Sequence, residues 1–264
     1  MKGFECISKK QMDGRKIWYY RFTEQVPTAK PLVRVITGSN DLAAQMAERL
    51  ANTGPTILVG PENPKVISCE VISNPWSIPE VWEWVAHRYR IGCVYHLALW
   101  DKWQDWPADR VFSSIVTEAV DLMRIIHAGG NPGMIWVLPP SLAKRDPRIV
   151  ETAVKQLSQQ VRLVAQEKNW PYALVHMPND FIVTGSFSAR VQDTSSPVNI
   201  TPDFLAKACL LLEEKLSGDR LFPLEEEAHP LFSSSQSSQC ADENGLKISE
   251  LMKRSEVFVP DRLD

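Results

Sequence analysis

A buried strand that hands directly over to a helix commits a chain to a layered α/β architecture, and this sequence contains such a junction early. Residues Val33 to Gly54 run from the apolar stretch Val33-Arg34-Val35-Ile36 through a tight turn at Thr37-Gly38-Ser39-Asn40 into an amphipathic helix beginning near Asp41. The alternation then repeats. Thr56 to Gly60 and Val66 to Ile72 read as short apolar strands, Ile78 to Tyr89 has helical spacing, and Gly92 to Leu99 is again an apolar strand. A helix from about Asp109 to Ala128, the turn Gly129-Gly130-Asn131-Pro132-Gly133 and the strand Met134 to Leu138 follow. A long amphipathic helix from Pro147 to Lys168 leads to the strand Tyr172 to Met177. Thr201-Pro202-Asp203 opens one more helix, to Leu216, because a hydroxyl cap followed by proline is a helix-start signal. Repeated βα units predict an α/β fold with a doubly wound, mainly parallel sheet in a single domain.

That domain is read as residues 32–232. Before it, residues 1–31 hold an aromatic strand, Ile17 to Thr23, and a linker broken by Pro27 and Pro31. After it, the serine-rich stretch within 233–245 cannot bury itself and reads as a mobile linker, and 246–264 is expected to form a short helix and a docked extended tail. No internal repeat is visible.

Composition narrows the class of partner. An apolar fraction of 44% is ample for a core, and a net charge of -3 with no Lys/Arg run argues against nucleic acid and anionic membranes as partners. The five cysteines are scattered and lack CxxC spacing, which disfavours a disulfide framework and a zinc site; no metal is expected. The N-terminus has no hydrophobic signal region and no apolar run is long enough to span a bilayer, so a cytoplasmic location is expected. No Gly-x-Ser-x-Gly elbow or phosphate-binding P-loop occurs. His96 and His176 lie in strands and read as core residues rather than bases.

In order and spacing, Thr37-Gly38 with Leu50-Ala51, the strand Val94-Tyr95-His96-Leu97-Ala98, and Met177-Pro178-Asn179-Asp180-Phe181-Ile182-Val183-Thr184 resemble the short-chain dehydrogenase/reductase superfamily over about Leu32 to Leu224. The resemblance implies a Rossmann fold with an NAD(P) cofactor at Thr37, Gly38 and Ser39, and with Glu70, read at the end of the third strand, as the acid that contacts adenine; Glu70 equally suits a solvent-facing strand terminus. Asp41, Leu42 and Ala43 stand where Gly-Ile-Gly belongs in that family. The missing glycines are those that admit the pyrophosphate and bring the helix close to the strand. Asp41 at a helix start suits the helix dipole, either as an ordinary N-cap or as a group that competes for the phosphate position.

The family's Ser, Tyr and Lys are matched only in part. Lys155 takes the lysine position, which puts Glu151 where the tyrosine belongs, and Ser141 lies near the place of the serine. Glu151 and Lys155 also form an ordinary i, i+4 pair, and Ser141 after Pro139-Pro140 also suits a turn. Asp180 replaces the glycine of the family's Pro-Gly loop; it is either a turn residue or a carboxylate facing a ligand. Trp100, Trp103 and Trp106, three residues apart, follow a strand at the edge where such folds bind ligands. They suit a pocket wall, a packing ridge or a partner surface. A further resemblance, of pattern alone, is to the structural, non-catalytic half of polyketide synthase ketoreductases, which also opens with an aromatic strand.

Three functions are compatible with these residues. One is a degenerate dehydrogenase-like enzyme repurposed for a non-redox cyclisation or isomerisation of a small metabolite. Another is a non-catalytic scaffold pairing with a homologous enzyme or with itself. The last is an NAD(P)H-dependent reductase with a non-standard proton donor.

Overall fold

The computed structural model describes residues 5–12, 15–21, 30–38, 41–60, 68–97, 107, 109, 113–128, 132–138, 147–176, 181–183, 198–218 and 248–260. They fall into two compact units, Met1–Pro31 and Leu32–Asp264. The first holds an antiparallel hairpin of β1 (Glu5–Met12) and β2 (Arg15–Arg21). β2 covers most of the aromatic strand read from sequence, while β1 was not foreseen, because Lys9, Lys10 and Gln11 carry no apolar alternation.

The second unit is built on one seven-stranded sheet in the order β11-β8-β7-β6-β3-β4-β5. Its strands are β3 (Leu32–Thr37), β4 (Thr56–Val59), β5 (Glu70–Ile72), β6 (Arg90–His96), β7 (Gly133–Leu138), β8 (Tyr172–His176) and β11 (Glu256–Phe258). All neighbours run parallel except β11, which pairs antiparallel with β8 at the edge. This is the doubly wound, mainly parallel α/β sheet expected from the alternation. β9 (Phe181–Val183) and β10 (Val198–Ile200) form a separate two-stranded parallel ladder.

Helices cover both faces. α1 (Asp41–Ala51), α5 (Pro202–Ser217) and α6 (Ile248–Arg254) pack on one face, around Ile36, Leu58, Tyr95, Ile135 and Val175. α2 (Pro79–Arg88), α3 (Ala119–Ala128) and α4 (Pro147–Glu167) pack on the other, around Val35, Val59, Val94, Trp136 and Leu174. Strand residues therefore alternate between two dry layers, which is why these strands read as continuous apolar runs rather than alternating ones. α1 follows the same logic, burying Leu42, Met46 and Leu50 at helical spacing.

Local chemistry sets several ends. Thr201 caps α5, its Oγ1 accepting from the Phe204 N–H at 3.2 Å, with Pro202 at the first helical position. Gly218 ends α5 in the left-handed region at φ 76°, where a Cβ is disfavoured. The helix foreseen from about Asp109 is interrupted: Ser113–Glu118 is a π-helical turn that leads into α3. No helix of the described residues is long and apolar enough to cross a membrane.

The tail is held by charge as well as by the ladder. Arg162 of α4 donates to both oxygens of Glu256, and the Tyr172 hydroxyl donates to Glu256 Oε1 at 2.7 Å. The Tyr172 and Phe258 rings stack with centroids 5.5 Å apart.

Candidate functional site

The chain runs outward from β3 to β4 and β5, then returns to place β6, β7 and β8 on the other side of β3. The order reverses between β3 and β6, and ligands of open α/β sheets bind outside the carboxyl ends of the strands at such a point. Thr37 ends β3 and His96 ends β6, and the two are register partners across this boundary. The Thr37 hydroxyl and His96 Nδ1 are hydrogen-bonded at 2.6 Å, with both residues buried.

Aromatic side chains enclose that pair. The His96 ring meets Trp136 of β7 edge-on at 4.7 Å between centroids and Trp76 at 6.1 Å. Trp76 is itself held by the Trp82 indole, whose Nε1 donates to the Trp76 carbonyl at 2.6 Å. Burial lowers the His96 pKa to about 3, because loss of water penalises the charged imidazolium. The imidazole is thus neutral at physiological pH and too weak a base for proton transfer there.

The turn from β3 to α1 is described at its two ends. The Gly38 N–H donates to the Val59 carbonyl at 3.0 Å, and the Leu97 N–H donates to the Thr37 carbonyl at 2.9 Å. Asp41 is the first residue of α1 and is exposed, so it lies inside the helix start rather than capping it from outside. Its carboxylate faces the positive end of the helix dipole, where a phosphate would be stabilised. The acid that binds a ribose hydroxyl in dinucleotide sites lies about 20 residues beyond the turn. Here β4 ends at Val59, with the Gly60 N–H donating to the Ile72 carbonyl, and residues 61–67 lie outside the described residues. At the start of α1, Asp41 in place of the family's glycine does not fit the pyrophosphate of a nicotinamide dinucleotide.

The other sequence-derived positions disperse. Glu70 opens β5 rather than ending the strand, and it accepts from the Tyr89 hydroxyl at 2.8 Å. The strand starts four residues later than its apolar run suggested. Lys155 is exposed on α4, whose buried stripe is Ala153, Leu157, Val161 and Ala165. Ser39, Ser141, Asp180, Trp100, Trp103 and Trp106 lie outside the described residues, as does the side chain of Glu151. Among the described residues, no group of His, Cys, Asp and Glu is arranged to hold a metal ion.

A polar cluster that sequence reasoning missed lies on the opposite face of the sheet. Arg34 of β3 donates from Nε and Nη2 to the two oxygens of Glu213 on α5, each at 2.7 Å, and from Nη1 to Thr53 Oγ1 at 3.0 Å. The Tyr95 hydroxyl donates to the same carboxylate. Burial, with the Glu213 charge adding to it, pushes the Tyr95 hydroxyl and the Cys93 and Cys209 thiols up, so all three stay protonated and unreactive. The signal was present: Arg34 is a charge inside a strand that otherwise reads as fully buried.

No family model matches the chain, and no curated protein matches it in sequence. Solved structures do match in shape. The ligand-free aldohexose dehydrogenase of Thermoplasma acidophilum aligns with a TM-score of 0.54 at 12% identity, covering 72% of this chain and 89% of that one. A UDP-glucose 4-epimerase aligns at 0.53 and 11% identity, covering 84% and 80%. The UDP-glucose 4-epimerase of Thermotoga maritima, solved with UDP-glucose, aligns at 0.50 and 12% identity, covering 73% and 84%. The chain has the short-chain dehydrogenase fold.

At such identities the likeness concerns the backbone alone. At the β3–β6 boundary of this fold stand Thr37, His96 and their aromatic neighbours Trp76 and Trp136. Function must then be argued from the residues at that edge.

Proposed function

We propose that this chain is a dehydrogenase-fold protein that has given up hydride transfer and performs non-redox chemistry, a cyclisation or isomerisation of a small, polyketide-like metabolite. The observation that supports this most is the start of α1, where the exposed Asp41 carboxylate stands at the helix end that would receive a pyrophosphate. In water, two unit like charges about 4 Å apart repel by about 1 kcal/mol. A pyrophosphate with two charges near Asp41 is therefore weakened by about 2 kcal/mol, roughly thirtyfold, before any loss from the missing glycines.

In this reading Asp180 is the acid-base group, Lys155 and Ser141 assist it, and Trp100, Trp103 and Trp106 bind the substrate. Thr37, Gly38, Ser39 and Glu70 are then remnants of a cofactor site. The cytoplasm is the proposed location. A second reading, a scaffold that pairs with a catalytic homologue or with itself, is favoured by Thr37 and His96, whose buried side chains are bonded to each other.

Calorimetric titration of the full chain with NADPH and NADH tests the proposal. The expected result is no binding below millimolar concentration. Micromolar binding of either nucleotide refutes it and restores the reductase. Loss of metabolite turnover in a folded Asp180→Asn variant separates the catalyst from the scaffold.

A further inference from the structure

The C-terminal segment is held to the body in two different ways. α6 is anchored in the core, with Ile248 and Leu251 each 1% exposed. It also ends on its own backbone, because Ser255 Oγ donates to the Leu251 carbonyl at 3.0 Å and the Ser255 N–H donates to the Met252 carbonyl at 3.2 Å. β11, by contrast, is half-buried at all three residues and lies antiparallel on the β8 edge of an otherwise parallel sheet. Each of its residues meets a separate feature of the body. Glu256 accepts from Arg162 and from the Tyr172 hydroxyl. Val257 packs against the layer of α1 and α5, while Phe258 packs against the opposite layer and stacks on the Tyr172 ring.

We propose that the β8 edge is a docking site for an extended peptide of a partner protein, one presenting an acidic, an aliphatic and an aromatic residue in succession, and that Glu256–Phe258 is the chain's own competitor for it. Strand addition at a sheet edge draws affinity from main-chain hydrogen bonds and selectivity from contacts to successive side chains, and this edge supplies both. Arg162 grips the carboxylate through two nitrogens, a geometry that selects an acidic residue over a neutral one. The Tyr172 ring selects a flat neighbour. The competitor is displaceable for three reasons. Its strand is three residues long. Its ion pair stands in water, with the Arg162 and Glu256 side chains 48% and 28% exposed, so salt screens it. Finally, Ser255 closes α6 from within, so β11 can leave without opening the helix. Once β11 leaves, β8 is a sheet edge with unpaired backbone groups beside an uncovered Tyr172 ring, a template for another strand. The inference does not depend on the chemistry proposed above.

The test follows the fluorescence anisotropy of a fluorescein-labelled peptide with the sequence of residues 253–260. It is titrated with the full chain carrying Glu256→Ala and Phe258→Ala, which strips the tail of two anchors and leaves Arg162 and Tyr172 in place. This variant is expected to bind the peptide at least tenfold more tightly than the wild type. Adding Arg162→Gln to the protein, or Glu256→Lys to the peptide, is expected to weaken binding at least tenfold, and high salt should weaken it severalfold. No binding by the variant at millimolar peptide overturns the proposal. Binding indifferent to Arg162→Gln or to the altered peptide overturns it as well. If the variant does not fold, amide hydrogen exchange of the wild type decides. An excess of the unlabelled peptide must then speed exchange in β11 at least threefold, and the Glu256→Lys peptide must leave it unchanged; equal effects, or none, overturn the proposal. A wild-type dimer that the peptide dissociates gives the edge to the tail of a second copy and overturns its assignment to a different protein.

Discussion

Replacing Glu213 by Gln keeps the side chain's shape and removes its charge, and the structure says what that leaves behind. The Arg34 and Glu213 side chains are each only 3% exposed, and the guanidinium donates two hydrogen bonds of 2.7 Å to the carboxylate. Glu213→Gln leaves a buried cation without its anion, a change that costs about 3–5 kcal/mol. A folded domain has about 5–15 kcal/mol in total, so a large part of the stability is lost. For a chain of this size the midpoint of thermal unfolding should fall by on the order of 10 °C. Urea unfolding followed by tryptophan fluorescence and circular dichroism measures the free energy directly. The triple variant Arg34→Met, Tyr95→Phe, Glu213→Leu removes the two charges and the phenol together, while Thr53 Oγ1 still donates to the Leu50 carbonyl at 2.8 Å. It should recover to within about 1 kcal/mol of the wild type. A loss below about 1 kcal/mol in Glu213→Gln would show that water reaches the pair and that the argument from burial is wrong.

Acid should weaken the fold through His96. Its folded pKa of about 3 lies below the unfolded value of about 6.5, so the unfolded chain binds the extra proton between these limits. The contribution is complete above pH 6.5 and is lost as pH falls toward about 3, amounting to about 2.7 kcal/mol by pH 4.5. The stability difference between pH 7.5 and pH 4.5 should shrink by roughly that amount in His96→Asn; an unchanged difference would refute the assignment. Thr201→Ala should cost about 1 kcal/mol by removing the cap on the Phe204 N–H, and Thr201→Ser should restore most of it.

The sheet was legible in the sequence because its central parallel strands, such as β3, β4 and β7, are buried on both faces and so write continuous apolar runs. The start of α5 was legible for a different reason, since Thr201 and Pro202 act on backbone groups within one turn. Those signals are local. What escaped has no local signature. The docked tail was expected but not its place: β11 is set on the β8 edge by Arg162 and Tyr172, which lie 94 and 84 residues away from Glu256. Glu70 was assigned to the wrong end of its strand because an apolar run does not mark where pairing begins.

By itself, then, the sequence determined the alternation of strands and helices, the fold class that follows from it, and the loss of the glycines at the first turn. Each is a property of neighbouring residues. Tertiary structure decided which charges are buried together, as with Arg34 and Glu213, separated by 179 positions. It also decided that His96 is neutral and sealed beside Thr37, and that Trp136 keeps a donor without an acceptor among the described residues. The physical reason is desolvation: the pKa of an imidazole and the hydrogen bonding of an indole depend on what excludes water from them, and only folding brings those groups together.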